Sequence, residues 1–212
     1  MLKLKKVAVT GGLSCGKSLV CRLLKECGAY VVSADEIVHT LLSSDANLIQ
    51  AVVKLLGAGI LVDNKISRTR VAEIAFADPN LLQGLESLLH PLVYQEIEKE
   101  FQQQKDRPAP PPLFVAEIPL LFETVKQKDF HNTVAVVADP ELCYERFSEA
   151  TGQFHEDFNK RTARQLTQLE KAVLADYVIM NSSTQKELQS IIQELYNELV
   201  TSGSQESGAR SQ

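Results

Sequence analysis

Gly11-Gly12-Leu13-Ser14-Cys15-Gly16-Lys17-Ser18 fits the pattern G-x-x-x-x-G-K-[ST]. Before it, Lys3 to Thr10 is a short β-branched and apolar run that reads as a buried strand. After it, Leu19, Leu23 and Leu24 recur at the spacing of one helical face. Strand, glycine loop and helix in that order form an anion cradle. The glycines let successive backbone N–H groups turn inward, and the helix N-terminus adds its partial positive charge. A lysine at position 17 supplies a mobile charge for β and γ phosphates, and a hydroxyl at position 18 is a ligand for Mg²⁺. Residues 12 to 19 (Gly12, Leu13, Ser14, Cys15, Gly16, Lys17, Ser18 and Leu19) are therefore the expected nucleotide-binding segment.

The rest of the chain extends this start into an α/β fold. Ala29–Ser33, Leu113–Ile118, Thr133–Ala138 and Tyr177–Met180 read as further strands, two of them closed by Pro119 and Pro140. Between them lie helical stretches, so a parallel sheet with helices on both faces is expected, the P-loop nucleoside-triphosphate hydrolase arrangement. Residues 36–104 form a mainly helical insert, broken by turns at Gly57-Ala58-Gly59 and Val62-Asp63-Asn64-Lys65. The proline-rich stretch 105–112 is an extended connector. One domain over 1–200 is expected, with a disordered tail over 201–212, where no apolar content anchors the chain.

Composition narrows the function classes. The 22 Lys and Arg against 27 Asp and Glu leave a net charge of −5, which argues against a long nucleic acid as the main partner. No run approaches the roughly 18 apolar residues of a membrane span, and no leader pattern precedes the first strand. Cys15, Cys21, Cys27 and Cys143 lack metal-ligand spacing and read as reduced thiols of a cytoplasmic protein, expected to be a monomer. The absence of N-K-x-D argues against a GTPase.

Asp35 follows the second strand. A carboxylate there suits Mg²⁺, or an acceptor hydroxyl and its proton, because phosphoryl transfer asks chiefly for positioning and charge neutralisation. Equally, it suits the N-cap of a helix starting at Glu36.

Beyond these readings, the chain resembles the dephospho-coenzyme A kinases from Val7 to about Leu199. The resemblance rests on the phosphate loop, Ser33-Ala34-Asp35 with His39, Ile66-Ser67-Arg68, Leu88-Leu89-His90-Pro91-Leu92-Val93, Ile118-Pro119-Leu120-Leu121-Phe122-Glu123, Arg161-Thr162-Ala163-Arg164-Gln165 and the stretch 175–181. Single members carry little information; their order after a P-loop is specific. The resemblance implies an ATP- and Mg²⁺-dependent transfer of the γ-phosphoryl group to the ribose 3′-hydroxyl of dephospho-CoA. It also implies a helical acceptor lobe over 36–104 and a lid over 141–165. It assigns Asp35 to the acceptor hydroxyl and to the metal beside Ser18. Arg68, with His39, His90 and Glu117, goes to the acceptor; Arg146 and Arg161 go to the phosphates, and Asn181 to the adenine end. Ser33 and Ala150 depart from the family pattern, which carries Asp and Arg there, and Ser182-Ser183 replaces an Asn-x-Gly run. Two alternatives stay open: a P-loop kinase for another small acceptor, such as a nucleotide or a shikimate-like alcohol, and a non-catalytic nucleotide-binding protein.

Overall fold

A computed structural model describes residues 4–201. Its elements are, in order, β1 (Lys5–Gly11), α1 (Lys17–Glu26), β2 (Tyr30–Ser33), α2 (Ala34–Ser44), α3 (Ala46–Leu56), β3 (Leu61–Val62), β4 (Lys65–Ile66), α4 (Arg68–Ala77) and α5 (Pro79–Lys105). They continue with β5 (Leu113–Glu117), β6 (Asn132–Val137), α6 (Pro140–Thr151), α7 (His155–Thr162), α8 (Gln168–Leu174), β7 (Tyr177–Met180) and α9 (Gln185–Thr201).

Five strands form one sheet in the order β2-β5-β1-β6-β7. β1 is its centre and runs parallel to both neighbours, with Val9 opposite Glu117 on β5 and Gly11 opposite Val136 on β6. This register brings the phosphate loop and the end of β5 to the same carboxyl edge of the sheet, where open α/β sheets bind ligands. β1 and β5 are buried almost throughout, as strands covered on both faces require.

By internal packing the chain divides into two compact units, 1–32 with 101–212, and 33–100. In the first, α1 and α9 lay Val20, Leu23, Leu24, Leu188, Ile192 and Leu195 against Val7, Val9, Val134 and Val136 of the sheet. The smaller unit has its own core, built from Leu42, Leu48, Val52, Ile60, Val71, Ala75, Leu82 and Leu85. Its helices alternate with a ribbon that sequence reading recorded only as a turn: β3 and β4 pair antiparallel around Asp63 and Asn64. Both turn residues are left-handed, at φ 50° and 59°, the two-residue hairpin geometry that Asn and Asp tolerate.

Two local expectations are corrected. α2 begins at Ala34 and not at Glu36, so Asp35 lies inside its first turn; Ser33 is the N-cap position. Asp35 therefore is not the helix cap. Second, α9 includes Thr201; the expectation of a disordered tail otherwise falls on 202–212, outside the described residues. Within the helical insert, α5 continues through Pro91 for 27 residues, although the residue before a proline disfavours helix.

Candidate active site

The phosphate loop is shaped by contacts that leave no room for side chains. Gly11 has φ 149°, and a Cβ there would collide with the Val136 carbonyl oxygen. Gly16, at φ 91°, would drive a Cβ into the Asn181 amide nitrogen. Ser14 takes a left-handed φ of 57°, an arrangement that turns neighbouring N–H groups to one side. The cradle is thus set by β6 and by the residue after β7 as much as by the loop itself.

Asn181 is 3% exposed and hydrogen-bonded on both ends. Its side-chain nitrogen donates to the Cys15 carbonyl at 2.8 Å, and its backbone N–H to the Val137 carbonyl at 2.7 Å. It is a brace of the loop, not a plain turn residue. Cys15 is buried, with its sulfur 3.4 Å from that of Cys143 on α6. The hydrogen bond from Cys143, opposed by burial and helped by the Lys17 charge, pulls the Cys15 thiol down to about 7, while Cys143 is pushed up.

Lys17 and Ser18 open α1. The Lys17 ammonium donates to the Gly12 carbonyl at 2.8 Å and reaches that of Gly11 at 3.3 Å. The Ser18 hydroxyl donates to Glu117 Oε1 at 2.8 Å. Leu19, the last residue of the expected segment, packs its side chain against the core. Glu117 is 8% exposed and ends β5, so the hydroxyl and carboxylate stand side by side at the strand ends. The sequence reading set Glu117 beside the acceptor; its bond to Ser18 associates it with the nucleotide side as well. Cys21, one helical turn along α1, is pushed up by burial and by the Glu117 charge.

Arg146 on α6 donates through Nη2 to the Asn181 carbonyl at 3.2 Å. Its Nη1 is buried without a hydrogen-bond partner among the described residues and lies 3.8 Å from where a Gly16 Cβ would stand. Buried donors are nearly always paired, so this nitrogen has a free proton to offer a ligand or water. Arg161 on α7 lies over the Phe147 ring, 5.4 Å from its centre. Gly152, left-handed at φ 68°, ends α6 and turns the chain into α7, giving the helical hairpin expected over 141–165.

The donor set fits a nucleotide with Mg²⁺. A backbone nest, a lysine, an orphaned guanidinium nitrogen and a serine–carboxylate pair answer a triphosphate and a hard cation that keeps most of its ligands from phosphate and water. Among the described residues, no three His, Cys, Asp or Glu side chains converge into an all-protein metal cage.

The smaller unit carries the remaining candidates. Asp35 is exposed on α2, and its carboxylate makes no hydrogen bond or ion pair within the described residues. Arg68 is the first residue of α4, and its Nη1 lies 3.4 Å from Nδ1 of His39, which joins two expected acceptor residues. Arg70, two residues on, is occupied by the Gly59 and Leu61 carbonyls at 3.0 and 3.3 Å and holds the turn before β3. His90 is half-buried on α5, immediately before Pro91.

Sequence reading missed a second layer behind the loop. Gln168 Oε1 accepts from the Ala138 N–H at 2.7 Å, and its Cγ lies 2.9 Å from where a Gly12 Cβ would stand. Lys171, also on α8, is fully buried and donates to the Pro119 carbonyl at 2.6 Å. Glu123, the last residue of the quoted 118–123 motif, was the available signal for its partner.

Comparison with known proteins is consistent with this arrangement. The family model described as dephospho-CoA kinase matches residues 5–187. The chain is 56% identical over 199 residues to the dephospho-CoA kinase of Protochlamydia amoebophila, covering 94% of this chain and 98% of that one. Against the dephospho-CoA kinase of Chlamydia pneumoniae the identity is 43% over 196 residues, covering 92% and 96%. Among solved structures, TT1252 from Thermus thermophilus superposes with a TM-score of 0.76 at 28% identity, covering 92% of this chain and 98% of that one.

Proposed function

The chain belongs to the dephospho-CoA kinase family, and we propose that its two units divide the reaction between donor and acceptor. The enzyme transfers a γ-phosphoryl group to the ribose 3′-hydroxyl of dephospho-CoA and releases coenzyme A. Residues 1–32 with 101–212 hold the donor, ATP. Residues 33–100 supply the groups for the acceptor.

The observation that carries this reading is the phosphate loop with Lys17 at its helix start and Ser18 bonded to Glu117. Backbone N–H groups of 12 to 18 bind the phosphates at the N-terminus of α1. Lys17 exchanges the Gly12 carbonyl for phosphate oxygen. Ser18 would hold Mg²⁺ directly, with Glu117 orienting its hydroxyl, and Asp35 would contribute its carboxylate. A Mg²⁺ held there would supply neutralisation of the phosphate charge. Arg146 Nη1 takes a nucleotide oxygen, and Arg161 neutralises charge on the transferred group, where donors count most in the transition state.

Asp35 orients the 3′-hydroxyl and accepts its proton as the new oxygen–phosphorus bond forms. With no hydrogen bond to its carboxylate among the described residues, Asp35 is available for that role. Arg68, with His39 beside it, grips an acceptor phosphate; His90 lines the acceptor without moving a proton. With this reading goes a cytoplasmic monomer, whose assembly state sedimentation tests.

Product analysis by phosphorus NMR with ATP, Mg²⁺ and either dephospho-CoA or AMP tests the function. Dephospho-CoA should gain a 3′-phosphate, and AMP should react poorly because its missing pantetheine arm supplies no binding energy for positioning. Asp35→Asn should keep its fold by circular dichroism and lose turnover by about a hundredfold or more. AMP phosphorylated as well as dephospho-CoA, or a near-normal Asp35→Asn, contradicts the reading.

A further inference from the structure

Lys171 is 0% exposed, one of the largest fully buried side chains of the protein, and its ammonium is spent entirely on protein groups. It donates to the Pro119 carbonyl at 2.6 Å, pairs with Glu123 Oε1 at 3.0 Å and reaches the Gly11 carbonyl at 3.5 Å. An ammonium has three protons, and these three partners account for them. None is left for a substrate.

A buried ion pair is a poor device for stability alone, since an apolar pair of similar volume serves as well or better. Its place in the fold gives it another use. Pro119 begins the turn after β5, and its carbonyl also accepts from Thr10 Oγ1 at 3.1 Å, in the residue before the phosphate loop. The buried Gly11 carbonyl is shared between two lysines, Lys171 and the phosphate-binding Lys17 at 3.3 Å. When Lys17 turns to phosphate, that carbonyl loses a donor, and a buried carbonyl without one is costly.

Glu123 adds a third attachment. Its Oε1 accepts from the backbone N–H of Leu166 at 2.9 Å, immediately beyond the α6–α7 hairpin and its return, and its Oε2 is buried without a hydrogen-bond partner among the described residues. Burial pushes the Lys171 ammonium toward its neutral form, and the Glu123 carboxylate opposes this.

We propose that Lys171 is a positioning residue for phosphoryl transfer: with Glu123 it holds the Gly11 and Pro119 carbonyls and so leaves Lys17 free to bind phosphate. The pair fastens the first residue of the loop to the β5 turn and to the return of the hairpin. The proposal rests on the reading of ATP as donor. Wild-type formation of coenzyme A from ATP is therefore established first, and its failure would count against that reading alone.

Steady-state constants for both substrates of Lys171→Met then test the proposal, with the fold checked by circular dichroism and thermal melting. Loss of a charge-assisted contact at the loop should raise the ATP KM about tenfold or more, with the dephospho-CoA KM within about twofold. A folded Lys171→Met with ATP KM and kcat both within about threefold of wild type, or with equal losses on the two substrates, overturns it. If Lys171→Met does not fold, Glu123→Gln decides. It keeps an acceptor for Leu166 and Lys171 but removes the charge, so a rise of about threefold or more in ATP KM alone supports the proposal and an unchanged value refutes it.

Discussion

Cys15 shows how one side chain in the loop answers to distant parts of the sequence. Its thiol is 128 residues from Cys143 in the chain and 3.4 Å away in space. Donation from Cys143 favours the Cys15 thiolate, whereas Cys21, Cys27 and Cys143 itself are all pushed up, chiefly by burial or by Cys15. A thiol held below its ordinary value of 9.0 adds stability that is in full force above that value and is lost as pH falls through about 7. Between those limits the Cys15 thiolate is the first to form. Following thiolate absorbance against pH, the wild-type titration should begin near neutrality, and Cys143→Ala should move its onset upward by removing the donor. An onset that Cys143→Ala leaves in place would mean that the loop N–H groups and Lys17, and not Cys143, set the value.

Among the elements, α8 is short and does more than its length implies. In seven residues it places Gln168 on Ala138 and Lys171 on Pro119, so its first turn and its middle both brace the loop. Helices this short are marginal alone, and a capping box at Thr167 and Glu170 secures this one: Glu170 Oε2 accepts from the Thr167 N–H and hydroxyl, and Thr167 Oγ1 from the Glu170 N–H. Thr167→Ala should cost about 1 kcal/mol in a urea melt and raise the ATP KM while leaving that of dephospho-CoA unchanged. A melt that shifts without any change in ATP KM would separate the cap from the site. The α6–α7 hairpin has a comparable tie, the Tyr144 and His155 rings stacked at 3.3 Å between centres. That stack orients the helix bearing Arg161.

At the scale of the whole molecule, the groups proposed for the donor, and Asp35 and Arg68 proposed for the acceptor, fall in separately cored units. Hydrogen exchange should resolve them, because a bound ligand protects the backbone it orders. MgATP should slow exchange in 9–24 and around Asn181. Dephospho-CoA alone should slow it in 33–100, near Arg68 and His90. Protection by dephospho-CoA confined to 1–32 and 101–212 would contradict the assignment of the acceptor to the smaller unit.

The amino-acid sequence alone determined the parallel α/β sheet, the phosphate loop with Lys17 and Ser18, the family, and the helical insert and hairpin. Each of these is written in local spacing: glycines where the chain must turn tightly, β-branched runs bounded by proline, leucines at helical intervals. Only tertiary structure decided what holds those parts in place. It turned Asn181 into the brace of Cys15 and Gly16, joined Ser18 to Glu117 across 99 residues, and sealed Lys171 beneath Gly11 and Pro119 from 52 residues beyond the latter. A lysine buried at 0% exposure looks in sequence like any solvated helix lysine, because two of its three partners are backbone carbonyls, which carry no residue signature, and the third, Glu123, lies 48 residues away in the chain. Asp35 shows the same limit from the other side: its identity marked it as cap or catalyst, and a helix starting two residues earlier than expected, at Ala34, removed the cap.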